Sequence, residues 1–266
     1  MKDIDVIIPL HEYNEEIKPL LHRALKSIPK DIRAIIVTPT YETLHIEEIE
    51  DNVHNYTMII SPNPDEEPYA SDFCSLINKG VNVSGVKKWF SILEFDDEYT
   101  DIWFNNVEKY IEYNPEISVF LPLEELIDFN QNKFIGYGNE APWASSFSNE
   151  IGYIDNDCLQ QYFDFYLTGA IFNTEDWKTY GGLKPSIKIS FWYEFLLRMT
   201  NKGKKVFVIP KLGYKHYVDR ENSLYDIYRK TIDEKESTWY FELAKQEQYY
   251  KEDRNKTYEN KEEEGE

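Results

Sequence analysis

The sequence predicts an α/β fold with a doubly wound parallel sheet and helices on both of its faces. Short apolar runs alternate with segments of helical periodicity over the first hundred residues, and this alternation is typical of parallel strands joined by crossover helices. Several of the apolar runs are closed by a proline, which cannot donate to a sheet ladder. With 266 residues, 41% of them hydrophobic, the chain can bury the core of one large domain or two small ones.

The amino-terminal part alternates predicted strands with predicted helices. The run from Asp5 to Leu10 is almost entirely apolar and predicts a buried parallel strand. Asn14 is a favourable N-cap for the next helix, because acidic residues follow it and an apolar stripe runs from Ile17 to Ile28. Further strands are predicted at Ala34 to Val37, Tyr56 to Ile60 and residues 89–95, with helices at 42–52 and 71–83 and a proline-rich loop at 61–68.

The second half continues with mixed elements. A helix at 100–113 and a strand from Ser118 to Leu121 precede residues 128–156, which are rich in Asn, Gly and Ser and lack periodicity. A loop of that length inside a compact domain is often functional. The remaining predictions are a strand from Gly169 to Asn173, a short helix that opens at Thr174, a turn at Gly181-Gly182, a helix at 190–200, a strand from Lys205 to Ile209 and a final helix from Ser223 to Ala244.

This pattern predicts one main domain over residues 1–220 with a carboxyl-terminal helical extension over 221–248. The extension is a candidate for self-association. Residues 249–266 are strongly charged and lack a core pattern, so we expect an acidic, disordered tail there.

Composition excludes several classes of function. The formal net charge of −20 makes nucleic acid an unlikely partner, because phosphate contacts need clustered Lys and Arg. No apolar run is long enough to predict a membrane span. Cys74 and Cys158 are too few for a disulfide framework or a thiolate zinc site. The amino terminus does not read as a signal peptide, so we expect a cytoplasmic location, with incorporation into a larger particle left open.

The most informative stretch is the acidic cluster that ends the strand predicted at 89–95. Glu94, Asp96, Asp97 and Glu98 lie within five residues. Carboxylates packed together at a strand end cost free energy unless a positive charge sits among them. A divalent cation with oxygen ligands is the usual solution, and ligands bind at the carboxyl ends of strands in open α/β sheets. The alternative is a solvated acidic turn.

Several segments, taken in order, resemble a known family. The opening run V-I-I-P-L-H-E-Y-N-E-E, the Asn78-Lys79-Gly80 segment with Gly85-Val86, and the Leu93–Asp97 stretch match its first half. The second half is matched by Gly169–Phe172, Gly181–Leu183, Arg198, Gly203, Pro210 and His216. In these segments, which cover residues 3–218, the chain resembles glycosyltransferase family 2.

The resemblance implies a fold and an activity. The fold is GT-A, a Rossmann-like sheet that is mixed but mostly parallel and is flanked by helices. The implied activity is metal-dependent, inverting transfer of a sugar from a nucleotide-diphosphate sugar to an acceptor that the sequence does not identify. The implied cofactor is Mn²⁺ or Mg²⁺, which stabilises the charge that grows on the diphosphate leaving group.

The resemblance also implies residue roles. Asp96 and His216 match the metal-binding positions. Glu94 occupies the first position of the family's acidic motif, near the ribose or the metal, and Asp97 is an adjacent catalytic residue that reaches substrate or metal through water. The donor-binding residues that the first strand and its loop would supply are Pro9, His11, Tyr13 and Asn14.

Two departures concern base recognition and catalysis. The second predicted strand ends at Thr38-Pro39, where the family has acidic residues that hold the nucleobase. Phe191-Trp192 stands where the family has the acid pair that supplies the catalytic base. Glu194, two residues later, is the candidate replacement, although two helical positions rotate it by about 200°. Other candidate bases, without motif support, are Asp155, Asp157 and Asp164.

Two alternatives remain open at this point. Phe191-Trp192 favours a catalytically inactive GT-A protein with a binding or assembly role, since fold alone does not imply function. A metal-dependent nucleotidyltransferase or nucleotide-sugar hydrolase would use the same diphosphate chemistry. The loop from His11 to Asn14 argues against a nucleotidyltransferase, because it contains no Gly, Lys or Arg.

Overall fold

The structure is a computed structural model, and it describes residues 3–39, 55–60, 72–83, 85–147, 150–231 and 235–245. The predicted helix at 42–52, the predicted loop at 61–68 and the predicted tail at 249–266 lie outside the described residues.

The strands are β1 (Ile4–Pro9), β2 (Arg33–Thr38), β3 (Tyr56–Ile60), β4 (Trp89–Ile92), β5 (Glu98–Tyr99), β6 (Ile117–Asp128), β7 (Lys133–Gly138), β8 (Tyr153–Ile154), β9 (Ile171–Asn173) and β10 (Lys205–Val218). The helices are α1 (Lys18–Lys26), α2 (Asp72–Val81), α3 (Trp103–Tyr113), α4 (Asn156–Gln161), α5 (Thr174–Tyr180), α6 (Phe191–Asn201), α7 (Leu224–Thr231) and α8 (Lys235–Lys245). Within the described ranges, no helix is both long and apolar enough to cross a membrane.

All strands belong to one sheet with the order β3-β2-β1-β4-β9-β6-β10-β5, while β7 pairs with β6 and β8 with β10. Strands β1 to β4 are parallel to one another. Strand β9 is antiparallel to both β4 and β6, so β6 and its parallel neighbour β10 run in the same direction as β4. Six strands therefore share one direction, and the prediction of a mixed, mostly parallel sheet flanked by helices is confirmed.

Each face of the sheet carries its own core. Successive side chains of β1 point to opposite faces: Ile7 packs in one apolar cluster with α2, whereas Val6 and Ile8 pack in a second cluster with α1 and α3. All three are fully buried. The doubly wound arrangement follows, because a parallel sheet that is apolar on both faces needs helices on both.

The region from 128 to 156 is more regular than its composition suggests. Strand β6 extends to Asp128, and β7 folds back against it as an antiparallel hairpin. Strand β8 pairs with β10. The expectation of a long irregular loop was wrong because most β7 side chains are exposed, so the strand carries no alternating apolar pattern.

The carboxyl-terminal extension packs on the main domain. Phe241 of α8 lies 5.0 Å from Phe163, ring centroid to centroid, and Ala244 is buried in the first core cluster. The Glu236 carboxylate accepts hydrogen bonds from the backbone N–H groups of residues 188 to 190, at 3.0, 2.5 and 3.1 Å. The predicted single final helix is described as two helices, α7 and α8, on either side of residues 232–234, which are not described.

Candidate active site

The acidic turn, residues 94–97, follows β4 at the carboxyl edge of the sheet. Leu93 N–H donates to Ile7 O at 3.0 Å, which ties the start of the turn to β1. The chain then forms β5, whose antiparallel pairing with β10 places Glu98 opposite Lys215. The predicted strand at 89–95 therefore ends at Ile92, and its last residues turn across the sheet edge where β1 also ends.

Asp97 links this turn to β10. It is almost fully buried, and its carboxylate accepts a hydrogen bond from Tyr217 N–H at 2.8 Å. Its second oxygen lies 2.8 Å from Nδ1 of His216. Because the Asp97 carboxylate holds Nδ1, the orientation of the imidazole ring is fixed.

Glu94, Asp97 and His216 converge on one point. Each offers a ligand atom, and these atoms lie within 4.8 Å of one another. The backbone N–H of Glu94 donates to the hydroxyl of the fully buried Tyr214 at 3.1 Å, which fixes the start of the turn. Two carboxylate oxygens and one imidazole nitrogen suit a divalent cation such as Mn²⁺.

The protonation of Glu94 and His216 reflects their burial beside the Asp97 carboxylate. Burial, together with the charge of Asp97, raises the pKa of Glu94 to about 8. Burial alone would lower the pKa of His216, but the charge and hydrogen bond of Asp97 raise it to about 10. Both groups therefore hold protons at neutral pH that a bound cation would displace.

Asp96 points elsewhere. Its Oδ2 lies 2.7 Å from Nε of Arg220, in an ion pair that is largely buried. Arg220 also stacks over Phe95, with Cζ 5.2 Å from the ring centroid, and its Nη1 lies 3.6 Å from Glu12 Oε1. The structure thus brings two of the predicted residues, Glu94 and Asp97, to His216, while Asp96 faces a guanidinium instead.

A second set of contacts holds the turn from its outer side. The Tyr217 hydroxyl donates to Glu98 at 2.7 Å. The Arg23 guanidinium lies 3.8 Å from the centroid of the Tyr217 ring and donates to the Asp96 carbonyl. These contacts join α1, the acidic turn and β10 into one rigid support.

The predicted donor-binding residues lie in the loop after β1. Pro9 ends the strand and is buried. The His11 ring lies 5.3 Å from Phe95, and among the described residues its buried Nδ1 has no hydrogen-bond partner. Tyr13 packs against the second core cluster. Asn14 accepts from the N–H groups of residues 16 and 17 at 2.9 and 3.0 Å, so its side chain caps the turn into α1.

Glu194, the predicted base, is fully buried in α6. It forms ion pairs with Arg198 at 2.9 Å and Lys184 at 2.7 Å. Burial alone would raise the pKa of Glu194, yet the hydrogen bonds and charges of these two cations hold it below its usual value. Both oxygens are engaged, and this placement favours a structural role.

The two aromatic residues that replace the expected acid pair face the interior. The Phe191 ring lies 5.5 Å from Phe73, centroid to centroid. The Trp192 ring stacks on Phe172 at 6.2 Å. The start of α6 is therefore anchored by aromatic packing.

Sequence reasoning overlooked Glu124, because it lies in an apolar strand without a motif. The register pairs it with Tyr214, so both side chains lie on one face of the sheet. Glu124 is fully buried, neither carboxylate oxygen has a hydrogen-bond partner in the described part of the chain, and burial raises its pKa well above the usual value. Burial therefore favours the protonated, neutral form of this carboxyl group.

Asp164 was a candidate base without motif support. It lies on the segment next to the cluster of Glu94, Asp97 and His216. Buried Asn139 holds the segment: its amide nitrogen donates to Tyr166 O at 2.8 Å and its oxygen accepts from Tyr166 N–H at 3.0 Å. The Tyr166 ring lies 5.2 Å from the His216 ring. Burial raises the pKa of Asp164, while the charge of His216 opposes that shift.

No protein-family model and no curated protein matches the chain. Many solved structures share its architecture, including the following three. Residues 1-349 of S. aureus TarS match with TM-score 0.57 and 12% identity, over 81% of this chain and 60% of that chain. The complex of the same TarS fragment with UDP-GlcNAc matches with TM-score 0.58 and 14% identity, over 84% and 60%. The mannosyltransferase PcManGT from Pyrobaculum calidifontis, in complex with GDP-Man and Mn²⁺, matches with TM-score 0.58 and 13% identity, over 83% and 58%.

These similarities establish the fold. At 12 to 14% identity they extend no further than architecture, which is a GT-A-like glycosyltransferase fold. The chain spans about 60% of the length of these three structures.

Proposed function

We propose that this chain is a metal-dependent glycosyltransferase of family 2, which moves a sugar from a nucleotide-diphosphate sugar to an acceptor with inversion. The observation that carries the proposal is the convergence of Glu94, Asp97 and His216 at the carboxyl edge of a sheet with a glycosyltransferase-like fold. Ligands of open α/β sheets bind at that edge.

The ligand atoms of Glu94, Asp97 and His216 fit a divalent cation. These oxygen and nitrogen ligands suit Mn²⁺ or Mg²⁺, and the charges of His216 and nearby Arg220 only partly offset the effect that burial and the neighbouring carboxylates have on Glu94. When bound, the cation would stabilise the negative charge that develops on the diphosphate leaving group. Asp97 orients His216 for this role, and Tyr214 holds the backbone of Glu94.

The donor would lie between this cluster and the loop after β1. In this arrangement Pro9 and Asn14 shape the loop, while His11 and Tyr13 supply rings for the nucleoside. The TarS and PcManGT complexes contain UDP-GlcNAc and GDP-Man, and these two donors are the first to test.

An inverting transfer also needs a base near the acceptor hydroxyl. Asp164 supports this role better than Glu194, because it is only partly buried, lies within electrostatic reach of His216 and, among the described residues, forms no ion pair with Lys or Arg. A raised pKa makes a carboxylate a stronger base.

The test measures thermal stability with UDP, GDP and their sugars, with and without Mn²⁺. A nucleotide at about 100 times its dissociation constant stabilises the native state by about 2.7 kcal/mol. We expect a metal-dependent shift with one nucleotide that Asp97→Asn abolishes and that the exposed, charge-matched control Glu112→Gln retains. The proposal fails when no nucleotide diphosphate or nucleotide-sugar shifts the wild-type protein under either condition.

A second candidate is a donor-binding protein without transferase activity. It is favoured by the aromatic packing of Phe191 and Trp192 and by the engaged carboxylate of Glu194. Donor turnover separates the two candidates: sugar release or transfer that Asp164→Asn reduces, with unchanged donor affinity, supports the enzyme. Donor binding without any turnover across a panel of acceptors supports the binding protein.

A further inference from the structure

Arg220 is a fixed cation beside the acidic cluster. Only 12% of its side chain is exposed. Its Nε binds Asp96 Oδ2 at 2.7 Å, and the guanidinium lies against the Phe95 ring. Its Nη1 forms a longer ion pair with Glu12 Oε1, at 3.6 Å. The guanidinium is therefore held firmly through Nε and only by a longer contact through Nη1.

The backbone on either side of Arg220 forms a defined turn that places the Arg220 side chain against the acidic turn. Asp219 and Asn222 both adopt left-handed conformations, with φ of 63° and 59°. Asn130 donates to the Asp219 carbonyl at 3.1 Å, and Asn222 N–H donates to Asp226 at 3.0 Å. Left-handed residues are uncommon outside glycine and mark a defined turn. Arg220 is thus preorganised by the chain on both sides.

The charge of Arg220 reaches Glu94 as well as its own partner. It opposes the shift that burial and the other carboxylates impose on the pKa of Glu94 and of Asp96. The candidate cation site of Glu94, Asp97 and His216 therefore lies beside a fixed guanidinium. A diphosphate has oxygens for both, because its two phosphoryl groups present separate anionic edges.

We propose that Arg220 is a diphosphate-binding residue, whose terminal nitrogens donate to the donor diphosphate while Nε stays on Asp96. The inference rests on the proposed function and deepens it. A planar guanidinium matches phosphate oxygens with two parallel hydrogen bonds. Asp96 is then a positioning residue that aims the guanidinium, which differs from its predicted role as the metal ligand.

The proposal predicts opposite effects on two ligands. Arg220→Gln removes a positive charge from the acidic cluster, so Mn²⁺ alone should bind equally well or more tightly. The same change removes two charge-assisted hydrogen bonds, so inorganic pyrophosphate, UDP and GDP should bind about tenfold to a hundredfold more weakly in the presence of Mn²⁺. A purely structural role would weaken Mn²⁺ and diphosphates together.

The experiment is isothermal titration calorimetry on the full chain with Mn²⁺, inorganic pyrophosphate, UDP, GDP and uridine. Arg220→Lys keeps the charge and loses the fork, so an intermediate loss is expected. Lys205→Gln is the matched charge control, because Lys205 is exposed at the amino-terminal end of β10, at the other end of the strand from His216. Its diphosphate affinity should equal that of the wild type.

Folding is controlled by the double variant Asp96→Asn/Arg220→Gln, which removes both partners of the buried ion pair. The loss of diphosphate affinity should persist there, with the Mn²⁺ affinity retained. Wild-type pyrophosphate and UDP affinity in Arg220→Gln overturns the Arg220 proposal and leaves the proposed function intact. Failure of the wild-type protein to bind any diphosphate overturns both.

Discussion

Glu94 and His216 must lose protons when a metal binds, so we expect metal affinity to depend on pH. The pKa of Glu94 is raised to about 8 and that of His216 to about 10, so both groups hold protons at neutral pH when no metal is bound. A cation must displace them, and mass action then increases its affinity as pH rises, by about tenfold per pH unit for each proton released. We expect Mn²⁺ to bind more tightly at pH 8.5 than at pH 6.5.

Calorimetry in two buffers with different ionisation enthalpies counts the protons directly. The exposed-site control is Glu112→Gln, which should leave the slope unchanged. A dissociation constant that is the same at both pH values would show that the cluster binds the metal without losing protons.

Glu194 offers a test of stability against catalysis. Its carboxylate is fully buried between Arg198 and Lys184, and removal of one member of a buried ion pair leaves an uncompensated charge. Glu194→Ala should lower the free energy of unfolding by about 3 kcal/mol, as measured by urea denaturation, with donor affinity retained. Glu112→Ala, an exposed helical control, should change it by less than about 0.5 kcal/mol. Unchanged stability with lost transfer would restore Glu194 as the base.

At the scale of single residues, the sequence predicts which residues lie in the site better than it predicts which residues they contact. Glu94, Asp97 and His216 were all predicted as site residues, because a strand end crowded with acids and a matching late His carry a signal. The partner of Asp96 carried none: Arg220 lies 124 residues away, and only the turn after β10 brings it back. Glu124 is invisible for a similar reason, since it stands beside Glu125 after Pro122, past the end of the strand predicted from Ser118 to Leu121.

At the scale of single elements, the packing of β10 depends on Gly169, whose backbone, just before β9, lies close to the Tyr214 ring. Its φ is +73°, and a Cβ there would lie 2.7 Å from Cγ of Tyr214. Gly169→Ala should therefore cost about 3 kcal/mol from overpacking and backbone strain, and it should weaken Mn²⁺ binding because Tyr214 supports Glu94. Gly136→Ala, with no atom within 4 Å, is the control. Denaturation and calorimetry check both effects, and wild-type metal affinity in Gly169→Ala would separate Tyr214 from the site.

Strands were predicted best where the apolar run is continuous. Strand β3 was predicted with the bounds that the structure shows although its described side chains are only half-buried, and the buried strands β1 and β2 were predicted to within one residue. Strand β10 was expected to stop before Pro210. It continues to Val218 because register shifts between Val208 and Tyr214 let the ladder resume after the proline. The half of β10 that carries His216 was therefore unpredictable from the run of residues alone.

At the scale of the whole molecule, a substitution of Glu236 tests whether the helical extension unfolds together with the main domain. Its carboxylate satisfies three backbone N–H groups before α6, so Glu236→Ala should lower the free energy of unfolding of the main transition by about 2 kcal/mol. Glu242→Ala on the same helix, with an exposed side chain, is the matched control.

Differential scanning calorimetry distinguishes the possibilities. A lower midpoint of a single transition would show that α8 unfolds with the main domain. An unchanged main transition with a shifted minor one would show that the extension is independent. Self-association through this extension stays a prediction, and sedimentation of the full chain tests it.

The tie between Asp97 and His216 joins positions 119 residues apart in the chain. During synthesis, therefore, the first acids leave the ribosome long before the imidazole that completes the cluster. A nascent chain interrupted before β10 carries a crowd of like charges with no cation site, and only the arrival of the last strand converts it into one. Metal capture would then report that β10 has left the ribosome and has paired beside the acidic turn.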